Sequence, residues 1–387
     1  MIVLTICLLF CRQMVAQNLF QKIAATSSPQ GKAVFKTPYS RLYVACGQSG
    51  IRMTDARLNL IDSFNTGGDA SDIHAIEGNV MTQVYVADGS GGLVVFVASP
   101  QSLGTMTDSV QFGSPAKLVT CQGAYAYVVT LNNHVYTVNV NDPHNIFITA
   151  SYYTGSALAI PEGIFVKGNY LYMAENGANG GFEVLNISSP SSITQVSKTA
   201  TPGFQYDIFV QDTIAYLYEG DRLRTYSIAN PASPAALDTF FIGSKKYEIL
   251  SLNNLVIALG TQLSAHHNDS VLASYAATFP YQGIFVSQDT IFAVGDSLHA
   301  FRLTGNISTG IKKADTYACT LYPNPAGPVL NIESSDPVDH LEIMNAAGKL
   351  VVTGRGNHVH LTGIRSGVYF VKFVVCGETY IRRFIKE

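Results

Sequence analysis

Short apolar runs separated by Gly-rich or Asn/Asp turns dominate the chain as far as Leu303. The stretch from Val84 to Pro100 is the clearest example. Val84-Tyr85-Val86-Ala87 is followed by the turn Asp88-Gly89-Ser90-Gly91-Gly92. A second run, Leu93 to Ala98, ends at the exit Ser99-Pro100. Two apolar runs around a glycine turn predict a β-hairpin. Relatives of its first strand begin at Leu42, Ala126, Leu171, Ala215, Val256 and Ile291, a spacing of roughly 35 to 45 residues. The runs alternate or are continuously apolar over about five residues, which excludes a helical solenoid and predicts four short strands per unit.

The fifth unit shows the layout. An inner strand Tyr206 to Val210, a second strand Ile214 to Tyr218 and a third strand Arg222 to Ile228 precede an outer strand near Ala236 to Ile242. Proline cannot donate to a ladder, so Pro231 and Pro234 sit in the connection before the outer strand, as Pro100, Pro143 and Pro190 do in other units. The last unit stops near Leu303 without an outer strand, and Leu19 to Ala25 stands as a lone strand ahead of the first unit. Pairing these two predicts an all-β, seven-bladed propeller closed by its N-terminal strand. Closure buries apolar faces that an open ring leaves in water. The sixth unit, with Gly260 to Ser274, matches poorly, and a count of six or eight is the alternative.

Three segments carry a resemblance to LVIVD repeats, a family of extracellular propeller repeats. They are Gly92 to Val97 before Pro100, Gly181 to Ile187 before Pro190, and Arg224 to Ile228 before Pro231. The likeness spans roughly residues 30 to 303 and brings no shared catalytic set with it.

Flanking segments differ in character. The apolar Ile2 to Phe10, followed by Met14-Val15-Ala16-Gln17, reads as a signal peptide over residues 1–16, with a buried first strand as the alternative. It lacks a basic residue ahead of the apolar core and is too short to span a bilayer. The propeller region then covers 17–304. Residues 305–316 are a polar linker without periodicity. Residues 317–387 hold about seven short strands, which predicts a small β-sandwich. This segment resembles the type A C-terminal sorting domain of the type IX secretion system of Bacteroidetes-type bacteria. The resemblance rests on four motifs in order: Tyr322-Pro323-Asn324-Pro325, Asn345 with Gly348-Lys349 at a turn, Ser366-Gly367-Val368-Tyr369, and a basic last strand containing Lys386. It implies the type IX machinery as a partner, passage across the outer membrane, and a secreted or cell-surface destination. A binding sandwich that stays attached is the alternative.

Composition narrows the partners. A net charge of -3 leaves no electrostatic footprint for nucleic acid. Trp is absent while Tyr and Phe are plentiful, which weakens a sugar-stacking reading without removing it. The six Cys include no Cys-x-x-Cys pair, so no metal or cofactor is expected. The Cys read as small buried apolar residues, with a Cys319–Cys376 disulfide as the alternative.

Four constellations are candidates for chemistry. Aligned inner strands place Ala33, Asp72, Lys117, Gly163, Asp207, Glu248 and Gly283 in one column at the axial mouth. Asp72, Lys117, Asp207 and Glu248 are the candidate ligand-binding residues there. Three converging carboxylates also suit a cation or acid–base work, whereas polar residues at strand starts commonly satisfy neighbouring backbone. His266-His267 with Asp269, and His74 elsewhere, form a weak metal candidate because adjacent strand residues point to opposite faces. Asp88 to Gly92 joins strands and opens no helix, so it is a hairpin turn rather than a phosphate cradle. Ser109, Thr213, Ser270, Thr290 and Ser297 each follow Asp and precede an aliphatic residue, resembling the O-glycan acceptor pattern of Bacteroidetes; turns favour the same residues.

The expected function is an exported, non-enzymatic binding module for an extracellular glycan or protein. The alternative is a secreted propeller hydrolase, lactonase-like or glycan-acting, working at the axial mouth.

Overall fold

The computed structural model describes residues 20–387, apart from 39–40, 79, 202, 243–245, 253–254, 261, 268–269, 277–279, 288, 304–319, 334–337, 346–348 and 376–377. The signal peptide, the linker, Cys319, Cys376, Asp269 and Gly348 therefore lie outside the described residues. The described elements are all strands. The chain divides into two compact units, Met1–Gly305 and Asn306–Glu387.

The first unit contains, among the described residues, seven four-stranded antiparallel sheets. Six are continuous meanders. Their inner strands are Ala33–Lys36, Asp72–Glu77, Ala116–Gln122, Ile160–Lys167, Gln205–Gln211 and Lys246–Leu252. The seventh sheet takes Gly283–Ser287, Thr290–Val294 and Ser297–Leu303 from the end of the unit and Phe20–Ser27 from its start. That first strand runs antiparallel to Ser297–Leu303, from Phe20 opposite Leu303 to Ser27 opposite Ser297. The sixth sheet is complete: Lys246–Leu252, Leu255–Gly260, Gln262–His267 and Ser270–Ala276. Each inner strand packs beside that of the next sheet, and the seventh packs beside the first.

The second strand of each sheet is among its most buried. Leu42 to Ala45, Val84 to Ala87 and Leu171 to Ala174 are almost wholly removed from solvent. They are continuously apolar because both faces meet a neighbouring sheet, so strict alternation is lost. Alternate residues feed different cores: Tyr43 and Ala45 pack with Val84 and Val86 of sheet two, whereas Leu42 and Val44 pack with Phe292 and Val294 of sheet seven. Outer strands have only one covered face and remain largely exposed, as in Phe147–Tyr153 and Ala235–Phe241. The Asp88–Gly92 turn is a tight hairpin in which Asp88 N donates to Gly92 O at 2.8 Å. Gly92, at φ +78°, faces Val110 O so closely that a Cβ would stand 2.2 Å from it.

The second unit is two sheets around one core. Thr320–Tyr322, Val329–Glu333 and His358–His360 form the smaller sheet. Leu350–Gly354, Val338–Asn345, Gly367–Val375 and Glu378–Lys386 form the larger. Leu330, Ile332, Leu341, Ile343, Val359, Val371, Phe373 and Phe384 fill the space between them.

Candidate functional site

All seven inner strands border one cavity of about 920 Å³ in the first unit. Register against the second strands defines which residues share a level. Ala33 opposes Ala45, Asp72 opposes Ala87, Gly163 opposes Ala174, Asp207 opposes Tyr218, Glu248 opposes Leu259, and Gly283 opposes Val294. In sheet three the residue at this level is Leu118, opposite Val129, because a bulge between Ala116 and Leu118 inserts Lys117 just ahead of it. Sheets four and five carry the same insertion, at Glu162 and Tyr206. The two inserted residues Lys117 and Glu162 meet: Lys117 Nζ donates to Glu162 Oε2 at 2.7 Å and to Pro161 O at 3.0 Å. Lys117 is thus an ion-paired rim residue, one position away from the level the sequence alignment gave it.

The three carboxylates reach sideways into the next sheet. Asp72 Oδ2 accepts from Val119 N at 2.8 Å, and Asp207 Oδ2 accepts from Ile249 N at 2.8 Å. Glu248 Oε2 accepts from Ile284 N at 2.6 Å. Each donor is the residue directly after the shared level in the following sheet, so one carboxylate ties each of three sheet junctions. Asp72 Oδ1 also accepts from Ile73 N at 2.8 Å. Two other junctions use glycine. A Cβ on Gly163 would lie 2.7 Å from Asp207 Oδ1 and 2.8 Å from Asp207 Cα, and one on Gly283 would lie 2.5 Å from Lys32 O. There the inner strands approach so closely that only a missing side chain fits.

Enclosure by the seven strands sets the electrostatics. Desolvation pushes Asp72 up to about 6 and Asp207 up to about 7. Glu248 is raised well above the carboxylate range, first by burial and then by the charge of Asp207. Burial lowers His74 to about 4, which leaves it neutral at ordinary pH.

Two residues beyond the shared level stand Phe35, His74, Thr120, Phe165, Phe209, Leu250 and Phe285, all lining the cavity. Strand period two puts them on the same side as the level above. Phe35 lies 4.4 Å from the His74 ring and 4.9 Å from Phe285, and Phe165 meets Phe209 edge-on at 5.5 Å. The cavity therefore has a carboxylate level over an aromatic layer. Sequence reasoning missed this layer and Glu162, although the Phe recurrence at a constant offset from the inner-strand starts was there to find. At the mouth, Lys32 pairs with Asp69 at 2.6 Å, and the loops leading into inner strands four and five expose Leu158 and Phe204.

His74 and His266 belong to different places. His266 is buried in the third strand of sheet six, where its Nε2 lies 2.8 Å from Ser264 Oγ. Among the described residues, no group of three or more His, Cys, Asp or Glu is arranged to hold a metal. Of the glycan-acceptor candidates, Ser109 and Thr213 are exposed, Thr290 and Ser297 are half-buried, and Ser270 starts an outer strand.

In the second unit the segment that holds the sorting-motif residue Asn324 meets the last strand, where Ala326 bridges to Lys386. Asn324 Oδ1 accepts from Ile385 N at 3.0 Å, and Ala326 N donates to Ile385 O at 2.7 Å. The Pro323-Asn324-Pro325 segment is therefore held against the last strand. Asn345 Oδ1 accepts from Lys349 N at 3.0 Å, and Tyr369 OH donates to Arg365 O at 2.9 Å. Gly367 pairs opposite Lys386.

Comparison with known proteins agrees with both units. The family model of the secretion system C-terminal sorting domain matches residues 320–387, and that of the LVIVD repeat matches residues 67–102 and 161–201. No curated protein matches the chain. Among solved structures, Raptor of Chaetomium thermophilum is similar over 77% of this chain and 30% of its own, at 11% identity and a TM-score of 0.62. PorZ, an essential bacterial surface component of the type-IX secretion system of Porphyromonas gingivalis, is similar over 91% of this chain and 59% of its own. Its identity is 13% and its TM-score 0.54. BamB of Moraxella catarrhalis is similar over 74% of this chain and 99% of its own, at 10% identity and a TM-score of 0.52. At these identities the likeness is one of fold. Taken with the strand architecture, these matches identify the chain as a β-propeller protein with LVIVD repeats and a type IX C-terminal sorting domain, exported to the outer cell surface or the medium.

Proposed function

We propose that the chain is a seven-bladed propeller, closed by its own N-terminal strand, that serves outside the cell as a non-enzymatic binding module. Seven sheets in sequence, the first and last inner strands side by side, and Phe20–Ser27 paired into the seventh sheet support the blade count and the closure. The ligand, an extracellular glycan or protein, sits at the cavity mouth over Asp72, Lys117, Asp207 and Glu248. The sorting domain engages the type IX machinery through Pro323, Asn324, Pro325, Asn345, Gly348, Lys349, Gly367, Tyr369 and Lys386. Glycans attach at exposed Ser109 and Thr213.

One observation carries the non-enzymatic reading: Asp72, Asp207 and Glu248 each hold a backbone N–H of the adjacent sheet. A general base needs its lone pairs free to face a substrate. The exposed turns around the mouth suit recognition instead.

The test is a glycan and protein array probed with the purified full chain, beside a panel of lactone and glycoside substrates. Binding that weakens at least tenfold in a Lys117→Ala, Tyr206→Ala double variant, without turnover of the panel, is the expected result. Turnover that disappears in Asp207→Asn and Glu248→Gln would overturn it.

A further inference from the structure

Sheet four carries two buried carboxyls around a half-buried lysine, a group that the cavity does not use. Glu175 lies at the end of the second strand Tyr170–Asn176, Glu183 in the third strand Gly181–Ser189, and Lys198 in the outer strand Ser192–Thr199. Register sets Glu183 directly opposite Lys198. Lys198 Nζ lies 2.6 Å from Glu175 Oε2 and 3.5 Å from Glu183 Oε2. Both carboxyl side chains have 0% exposure. Tyr152, from the outer strand of sheet three, donates its hydroxyl to Glu183 Oε1 at 2.6 Å.

An ordinary buried ion pair has one carboxylate per cation and aligned hydrogen bonds. This group has two carboxyls for one ammonium. Among the described residues, neither oxygen of Glu175 accepts a hydrogen bond in good alignment, although Nζ is within 2.6 Å. Two charged carboxylates side by side out of water are strongly disfavoured, so one of them keeps its proton. Burial, reinforced by the charge of Glu183, raises Glu175 to about 8. At neutral pH Glu175 thus stands as a neutral carboxylic acid against the Lys198 side chain.

We propose that Lys198 and Glu175 condense into an intramolecular isopeptide bond, with Glu183 as the proton carrier and Tyr152 as its positioning residue. Glu183 first takes a proton from the Lys198 ammonium. The freed amine lone pair attacks the Glu175 carboxyl carbon, forming the C–N bond. Glu183 returns its proton to the Glu175 hydroxyl, which leaves as water when the C–O bond breaks, and it takes a second proton from nitrogen. The products are one secondary amide, one water and a protonated Glu183. Charge balances, and nothing is oxidised or reduced. Exclusion of solvent from both carboxyls opposes the reverse hydrolysis. The bond ties the outer strand of sheet four to its second strand across the intervening third strand.

Mass spectrometry of the purified, folded full chain tests this directly. The expected peptide map contains one branched species joining the segments around residues 175 and 198, lighter by one water than their sum, with tryptic cleavage after Lys198 lost. Lys198→Arg and Glu183→Gln chains that keep the wild-type circular dichroism should lack that species. A wild-type map showing linear peptides with normal cleavage after Lys198 overturns the proposal, whatever the variants do. The branched species persisting undiminished in Glu183→Gln would overturn the assigned role of Glu183.

Discussion

The carboxylate ties between sheets make a quantitative claim about pH. Asp207 titrates near its ordinary 3.8 when unfolded and at about 7 in the fold, because enclosure disfavours its charged form. Between those values the folded chain holds more protons than the unfolded chain, so stability falls as pH rises through the window and levels off above it. The rise corresponds to a ceiling of about 4 kcal/mol. Partial contact with cavity solvent and sharing of protons with Asp72 and Glu248 reduce the realisable part to about 2 kcal/mol. Asp207→Asn keeps an oxygen for the Ile249 N–H but carries no charge. It should match the wild type at pH 4 and exceed it by about 4 °C in melting temperature at pH 8, at about 2 °C per kcal/mol for a unit of this size. Thermal unfolding followed by circular dichroism at both pH values reads this out. Asp72, at about 6, and Glu248 titrate with the same sign, so the wild type itself should lose stability from pH 4 to 8. A wild type that gains stability over that range, or an Asn variant equally destabilised at both pH values, would show that Asp207 works as a charged acceptor and refute the reasoning.

Two further outcomes follow from contacts described above. Gly283→Ala places a methyl 2.5 Å from the carbonyl of Lys32, a backbone atom that cannot step aside, so the first unit should lose about 2 kcal/mol in thermal unfolding; an unchanged midpoint would mean the junction between sheets seven and one is looser than described. Asn324→Ala removes the acceptor of the Ile385 N–H at an exposed edge, where water substitutes, so stability should change by less than about 1 kcal/mol. Amide exchange at Ile385 should nevertheless accelerate, and unchanged protection there would disconnect the Pro323–Pro325 segment from the last strand.

Much of this architecture is readable from spacing alone. The recurring second strands mark the sheets because each is buried on both faces and so is conspicuously apolar. The fifth unit shows strand limits within about two residues of those observed, Gln205–Gln211 for the inner strand and Ala235–Phe241 for the outer. The sixth unit matched poorly because its third strand carries His266 where other units have Phe96, Val138, Leu185 or Phe301, yet that strand pairs with the outer strand throughout. The site was less legible. An inserted bulge residue leaves the alternation on either side intact, so a linear alignment cannot see that Leu118, and not Lys117, shares the level of Asp72. Nor does local sequence reveal that Asp72 points at a backbone N–H 47 residues away. Glu162 was invisible for the same reason, since its partner is the bulge of another sheet.

The seventh sheet has a kinetic consequence. Phe20–Ser27 is made first, but its hydrogen-bonding partner Ser297–Leu303 is nearly the last part of the unit to be synthesised. Contacts this distant along the chain form slowly, because a long loop must close before they repay its entropy. A nascent polypeptide that ends before residue 297 offers its first strand no partner, so this pairing is among the last contacts of the first unit to form.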